Sequence, residues 1–327
     1  MIGLGVFYAT LSGIANGLFS APMKVIPVWK WENIWLVFIV TACVLMPPIV
    51  VLPAADPSAV IAAAPTAAVW AALTFGFAWG FGAILFGLSV HTLGVSLANS
   101  LVIGLSSALG SVIPLIVTGG LKAEPRVFVL FAGVAVFIAG VWLCGRAGRM
   151  SEQQTSREWR GYFFAIGSGV MSAVFNIGYS LALPVADAGE RLGLTRFTST
   201  NVIWLLMLGA GAVPNIAYCL QLLSRHRSAK LFNAGPPAKT WGLGLLMGLL
   251  WGGSIFLYGA ATPLLGDIGP SIGWPLSLAV GLLVANLMGY LLGEWRTAPL
   301  AAVRTMQFGI VTLLIAIVIT AASTTLS

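Results

Sequence analysis

Asn16 and Ser20 stand four residues apart in a stretch without one charged side chain, and Asn176 and Ser180 repeat that spacing in a second such stretch. On a helix this spacing projects both side chains from one face. An amide and a hydroxyl each offer a donor and an acceptor, so such a face either reads the hydroxyl groups of a neutral ligand or bonds across to neighbouring helices. Trp79 and Trp251 are duplicated too, each followed by glycine in a glycine-rich segment. A flat ring over a cavity suits the apolar face of a sugar, or simply fills the space the glycines leave. Asn99, Tyr179, Tyr258 and Trp274 complete the set of candidate substrate contacts.

Other chemistries lack their residues. No Asp, Glu, Lys or Arg falls in the middle of an apolar segment, where such groups ordinarily mark ion and proton paths. No phosphate-binding loop, His-Glu-x-x-His run or nucleophile elbow occurs, and the two histidines, His91 and His226, fall in predicted loops. No catalytic residue, metal site or cofactor is therefore expected, and the substrate is expected to be neutral and hydroxylated. Glu32, Asp187, Asp267 and Glu294 stand at segment ends. Trp29-Lys30-Trp31-Glu32 and Glu294-Trp295-Arg296 read as interfacial anchors, and Glu32, Asp267 and Glu294 are the candidates for proton coupling or gating.

The elements that must position these groups follow from composition. Of the 327 residues 59% are hydrophobic and 8% charged, against about 25% charged in soluble domains. The charges are clustered, leaving 1–23, 33–55, 57–121, 127–145, 161–186, 197–224, 240–266, 268–293 and 305–327 free of them. A spanning helix needs about 20 apolar residues, and 57–121 divides near 91–94 into two. Ten helices are expected, near 2–22, 33–53, 66–90, 97–118, 126–145, 161–184, 200–223, 241–262, 270–291 and 301–321. The windows are continuously apolar rather than alternating over about 10 residues, which excludes a membrane barrel. The first lacks a basic leader and a cleavage pattern, and is read as a retained helix. Cys43, Cys144 and Cys219 show no ligand spacing and are read as packing residues.

Sorted by connection, one face receives Lys24, Lys30, Arg146, Arg149, Arg157, Arg160, Arg225, Arg227, Lys230, Lys239, Arg296 and Arg304. The other receives Lys122, Arg126, Arg191 and Arg196. Positive loops stay inside, which puts both termini outside and explains the basic composition without nucleic acid.

The chain also repeats itself. Gly76, Trp79-Gly80, Phe86-Gly87 and Leu93-Gly94 recur at a constant offset as Gly248, Trp251-Gly252, Tyr258-Gly259 and Leu265-Gly266. Ser12, Asn16, Phe19 and Ser20 recur as Ser172, Asn176, Tyr179 and Ser180. The implied architecture is an all-α integral membrane protein of ten helices in two inverted five-helix repeats, 1–145 and 161–327, joined by a cytoplasmic linker at 146–160. Inverted repeats of this kind belong to secondary transporters. Two full halves in one chain are compatible with a monomer or a homodimer.

A resemblance adds a family. Ser20-Ala21-Pro22-Met23-Lys24, Trp29-Lys30-Trp31-Glu32, Trp35, Trp79-Gly80, Leu93-Gly94-Val95-Ser96, Gly145-Arg146-Ala147-Gly148, Ser172-Ala173 with Asn176, Ile272-Gly273-Trp274 and Gly293-Glu294-Trp295 resemble the L-rhamnose/proton symporter family of the drug/metabolite transporter superfamily. The resemblance implies a bacterial inner-membrane carrier of a neutral deoxy-sugar, moved together with a proton. Two positions depart from the family pattern: Pro270, near which the family carries an acidic residue, and Phe81-Gly82-Ala83, where it carries an asparagine. An uncoupled sugar facilitator, or a metabolite or drug exporter of the same superfamily, remains the alternative.

Overall fold

The computed structural model describes residues 2–93, 95–117, 124–151, 159–266, 269–291, 295 and 298–322. Every regular element among them is helical. In order they are α1 (Ile2–Leu18), α2 (Trp31–Ile39), α3 (Met46–Val51), α4 (Pro57–Ala63), α5 (Thr66–Leu93), α6 (Val95–Val117), α7 (Pro125–Ser151), α8 (Trp159–Arg191), α9 (Arg196–His226), α10 (Pro237–Ala261), α11 (Gly269–Leu291) and α12 (Leu300–Ala322), with short 3₁₀ turns at Ala21–Val25, Ala229–Asn233 and Thr262–Leu265. Nine helical stretches among the described residues are long and apolar enough to cross a membrane; in α6 the apolar stretch is the shorter Leu101–Pro114. Their outward faces carry exposed Phe, Trp, Leu and Ile side chains, as at Phe7, Trp70, Phe128, Phe163 and Phe308. In lipid this is expected, because the helix satisfies its own backbone and apolar side chains face hydrocarbon. The protein is a multi-pass membrane protein.

The second span is not one regular helix. Between α2 and α3 the backbone widens to a π-helical turn over Val40–Leu45, just ahead of Pro47-Pro48. Proline supplies no N–H to the turn before it, and a wider turn is one way for a helix to absorb that. The short α4 was not expected from the sequence; Pro57 starts it and the Asp56 carboxylate caps it by accepting from the Ser58 and Ala59 N–H groups. The Ser58 hydroxyl on the same carboxylate also holds Asp56 below the usual carboxylate range.

Two expectations shift. His91 belongs to α5, which runs on to Leu93, and His226 is the last residue of α9 rather than part of a loop. Likewise α8 passes through Pro184 to Arg191, and α7 extends to Ser151; of the expected linker, 152–158 lies outside the described residues. The three cysteines are buried and free.

Helix packing follows a pattern. α5 lies along α8 and α9, and α10 lies along α1 and against α2 with its π-helical continuation. α1 packs on α11 as α8 packs on α6, and α7 packs on α12. Glycine makes the closest of these approaches. A Cβ at Gly80 would strike Pro214 and the Gly211 carbonyl, and one at Gly252 would come within 2.6 Å of the Met46 sulfur. In lipid, such backbone proximity is what drives helices together.

Candidate functional site

The helices enclose a central cavity of about 150 Å³. At roughly 10–15 Å³ per water-sized group, it holds one molecule the size of a monosaccharide. Asn16, just before the end of α1, and Ser20, just past it, line this cavity, as do Trp79 of α5, Asn99 of α6, Trp251 and Tyr258 of α10 and Trp274 of α11. Trp79 and Trp251 stack on each other with centroids 5.1 Å apart and planes 10° from parallel. Phe175 covers part of Trp79 and Phe38 meets Trp251 edge-on, so the pair forms a floor, of which Trp251 is the more accessible member.

The polar rim comes from serines that anchor one another. The Ser12 hydroxyl is 2.8 Å from both the Ser254 carbonyl and the Ser277 hydroxyl, tying α1 to α10 and α11. The Trp274 ring N–H donates to the carbonyl and hydroxyl of Ser106 at 3.2 Å, which fixes that ring in the wall. Ser168 and Ser172 of α8 add further hydroxyls. No Asp, Glu, Lys or Arg lines the cavity among the described residues.

Asn176, Tyr179 and Ser180 lie behind the wall rather than in it. The Asn176 amide donates to the Gly110 carbonyl at 2.8 Å and the Pro270 carbonyl at 3.2 Å, and accepts from the Tyr258 hydroxyl. The cause is local to α6: Pro114 has no N–H, which leaves the carbonyl four residues earlier, Gly110, without its helical donor. Asn176 supplies one from the neighbouring helix. Ser180 donates to its own helix at the Asn176 carbonyl, and the hydroxyls of Tyr179 and Thr262 meet at 2.5 Å. Tyr179 also stacks on Trp204 at 4.4 Å. This network ties α6, α8, α10 and α11 together at one end of the cavity, the end away from the loop carrying Lys24 and Lys30.

Asn215 bonds beyond its own helix. Its amide donates to Gly211 and, across to α5, to Gly80, while its oxygen accepts the Trp35 ring N–H at 3.0 Å. Trp35 lines the cavity; no repeated motif surrounds it, so the sequence marks it only through the family resemblance.

Glu32 departs from the anchor reading. It is 3% exposed, accepts from the Ser228 hydroxyl at 2.6 Å and lies 3.0 Å from His226 Nδ1. Asn33 donates beside it to the Ser228 carbonyl. Arg227, at φ +49°, turns the chain out of α9 and so brings Ser228 under the carboxylate. Trp29 is likewise buried, edge-on to Phe232 and Trp241. The cluster joins the ends of α2 and α9 on the face that holds Lys24 and Lys30. On the opposite face Arg196 pairs with Asp187 and Glu190 and joins α8 to α9. Asp267 and Glu294 lie outside the described residues. No cluster of metal-ligating side chains occurs among the described residues.

Comparison with known proteins gives one consistent match. A family model described as the L-rhamnose-proton symport protein covers residues 1–325. Similar curated proteins are the L-rhamnose-proton symporters of Citrobacter koseri, 25% identical over 331 residues, of Escherichia coli, 26% over 334, and of Cronobacter sakazakii, 27% over 337. Each alignment covers 96% of both chains.

Proposed function

The chain belongs to the L-rhamnose-proton symport protein family, and from that premise we propose that it carries L-rhamnose, or a closely related deoxy-sugar, across the membrane together with a proton. It is a transporter and not an enzyme. The observation that carries the reading is the central cavity: one sugar in size, free of charge, floored by paired indoles and rimmed by amides and hydroxyls. Indole faces suit the C–H face of a pyranose, and the amide and hydroxyl groups supply both donors and acceptors for its hydroxyls. Asn16, Ser20, Asn99, Trp79, Trp251, Tyr258 and Trp274 are the proposed contacts. Asn176, Tyr179 and Ser180 are assigned to positioning, because their polar groups are engaged with protein.

The mechanism proposed is alternating access by two inverted halves of five spans each, 1–145 and 161–327, ten spans in all. The packing supports this: exchanging halves turns α1 on α10 into α8 on α5, and α1 on α11 into α8 on α6, and both members of each exchange occur. In this state the cavity runs from Ser12 past Asn16 to Ser20, towards the basic face, while the Asn176 network closes the other end. With basic loops inside, this is an inward-facing form in the bacterial inner membrane with both termini periplasmic. Two complete halves make one chain sufficient for the cycle. Glu32, with His226 and Ser228, is the proposed gating cluster, and Asp267 and Glu294 remain candidates for carrying the proton.

Uptake of radiolabelled L-rhamnose into proteoliposomes tests the reading. Uptake driven by an inward proton gradient, abolished by protonophore and competed by related sugars, is expected. Uptake indifferent to the gradient would make the protein a facilitator, and no uptake with no competing sugar would overturn the sugar assignment.

A further inference from the structure

Away from the central cavity, α6 packs against both α7 and α8, while among the described residues α7 and α8 share no substantial packing of their own. The result is a furrow of about 490 Å³ running over α6 on the outside of the bundle. Gly104 and Ala108 keep its floor low, and its rims carry exposed Ile138, Trp142 and Ile166. Apolar rims facing outward in a membrane protein face acyl chains.

One end of the furrow is different. Arg149, half-buried near the end of α7, lines it there, and Arg146 sits one turn back with its guanidinium 5.5 Å above the Trp142 ring. No acidic side chain lines the furrow among the described residues, nor does Arg149 make an ion pair among them. The repeat provides an internal control. Over α11, where the same packing would set a furrow between α12 and α1, the corresponding C-terminal end of α12 and the whole of α1 carry no charged residue; the one charge on either helix is Arg304, in the first turns of α12. The arginines are therefore not a requirement of the fold.

We propose that this furrow binds an anionic phospholipid, with one acyl chain lying over Gly104 and Ala108 and the phosphodiester between Arg149 and Arg146. A guanidinium presents a planar fork of donors to phosphate oxygens, and basic pockets between spans on the inner face are where acidic headgroups bind. The lipid would brace α7 against α8, the two helices that join the halves of the molecule.

The test uses the full-length protein in detergent, titrated with phosphatidylglycerol or with phosphatidylcholine of identical acyl chains. Bound lipid is counted by native mass spectrometry and the melting temperature is followed. Phosphatidylglycerol is expected to bind more tightly and to raise the melting temperature more. Arg149→Gln should weaken phosphatidylglycerol about fivefold and Arg146→Gln with Arg149→Gln about 25-fold, leaving phosphatidylcholine unchanged. Ala108→Leu, which raises the floor, should weaken both lipids. An unaltered preference in the double arginine variant would overturn the proposal. So would equal stabilisation by inorganic phosphate alone, or a dimer that excludes added lipid from the furrow.

Discussion

Asn16 and Asn176 occupy the same place in the two halves of the sequence, yet their surroundings are opposite. Asn176 is fully buried, and its amide meets Gly110, Pro270 and Tyr258. Asn16 lines the cavity, half-exposed, with no hydrogen bond among the described residues. Under the alternating access proposed above, two like halves facing opposite ways would not be closed at both ends and still admit a substrate. The difference is what one end closed and the other open looks like at a single residue type. If that is right, Asn16 bonds towards α11 and α6 when the other end closes, and the Asn176 amide is then released.

The comparison breaks hardest at Asn176. Asn176→Leu leaves the Gly110 carbonyl without its donor and the Tyr258 hydroxyl and Pro270 carbonyl with only their mutual 3.4 Å bond, and an unsatisfied buried group costs about 1–3 kcal/mol. Uptake is expected to fall at least about 100-fold, with a melting temperature lower by roughly 5 °C. Restoring Gly110's own helical donor by Pro114→Ala in the same chain should recover part of the melting temperature but not the transport. A variant that transports normally would remove the network from the mechanism.

Substrate contacts come next in size. Trp251→Ala removes the more accessible half of the indole floor and should raise the apparent KM for sugar about tenfold, the scale of one good aromatic contact; Trp79→Ala, shielded by Phe175, should act less on KM and more on stability. Asn16→Ala separates the two asparagines directly. It should lower transport about tenfold with an unchanged melting temperature, because no bond in this state depends on it. Equal loss of stability at Asn16 and Asn176 would show that the two ends do not differ.

Much of this arrangement was legible beforehand, and the exceptions have physical causes. Charge-free windows and the offset between Trp79 and Trp251 point to the spans and to the indole pair, because burial in lipid writes itself into every residue of a span. The fate of Asn176 was not legible from its own helix, since it is decided by Pro114 on α6 and by Tyr258 on α10. Glu32 reads locally as an interfacial anchor among tryptophans. Only the fold brings His226 and Ser228 to it from nearly two hundred residues away. A repeat in sequence predicts equivalent positions, but Asn16 and Asn176 are not equivalent in the fold, and no local pattern encodes which of the two is buried.

The smallest change is also the sharpest. Tyr258, which donates to Asn176, corresponds in the repeat to Phe86, which lines the cavity without a hydroxyl. The closed form of the open end would therefore lack one hydrogen bond that the closed end has. Phe86→Tyr adds it back. A single hydrogen bond between membrane helices contributes about 0.6 kcal/mol on average, so the ratio of outward-facing to inward-facing molecules should rise about threefold. The measurement is the rate at which a cysteine at Ser20, facing the cavity from the basic side, reacts with a membrane-impermeant maleimide in inside-out vesicles. The Phe86→Tyr background should slow that reaction by up to about twofold when the inward-facing form predominates only slightly, and less when it predominates strongly. Tyr258→Phe should move the rate in the same direction, because it weakens the end that is closed here. A faster reaction in either background would mean that the two hydroxyl positions do not set the balance between the ends.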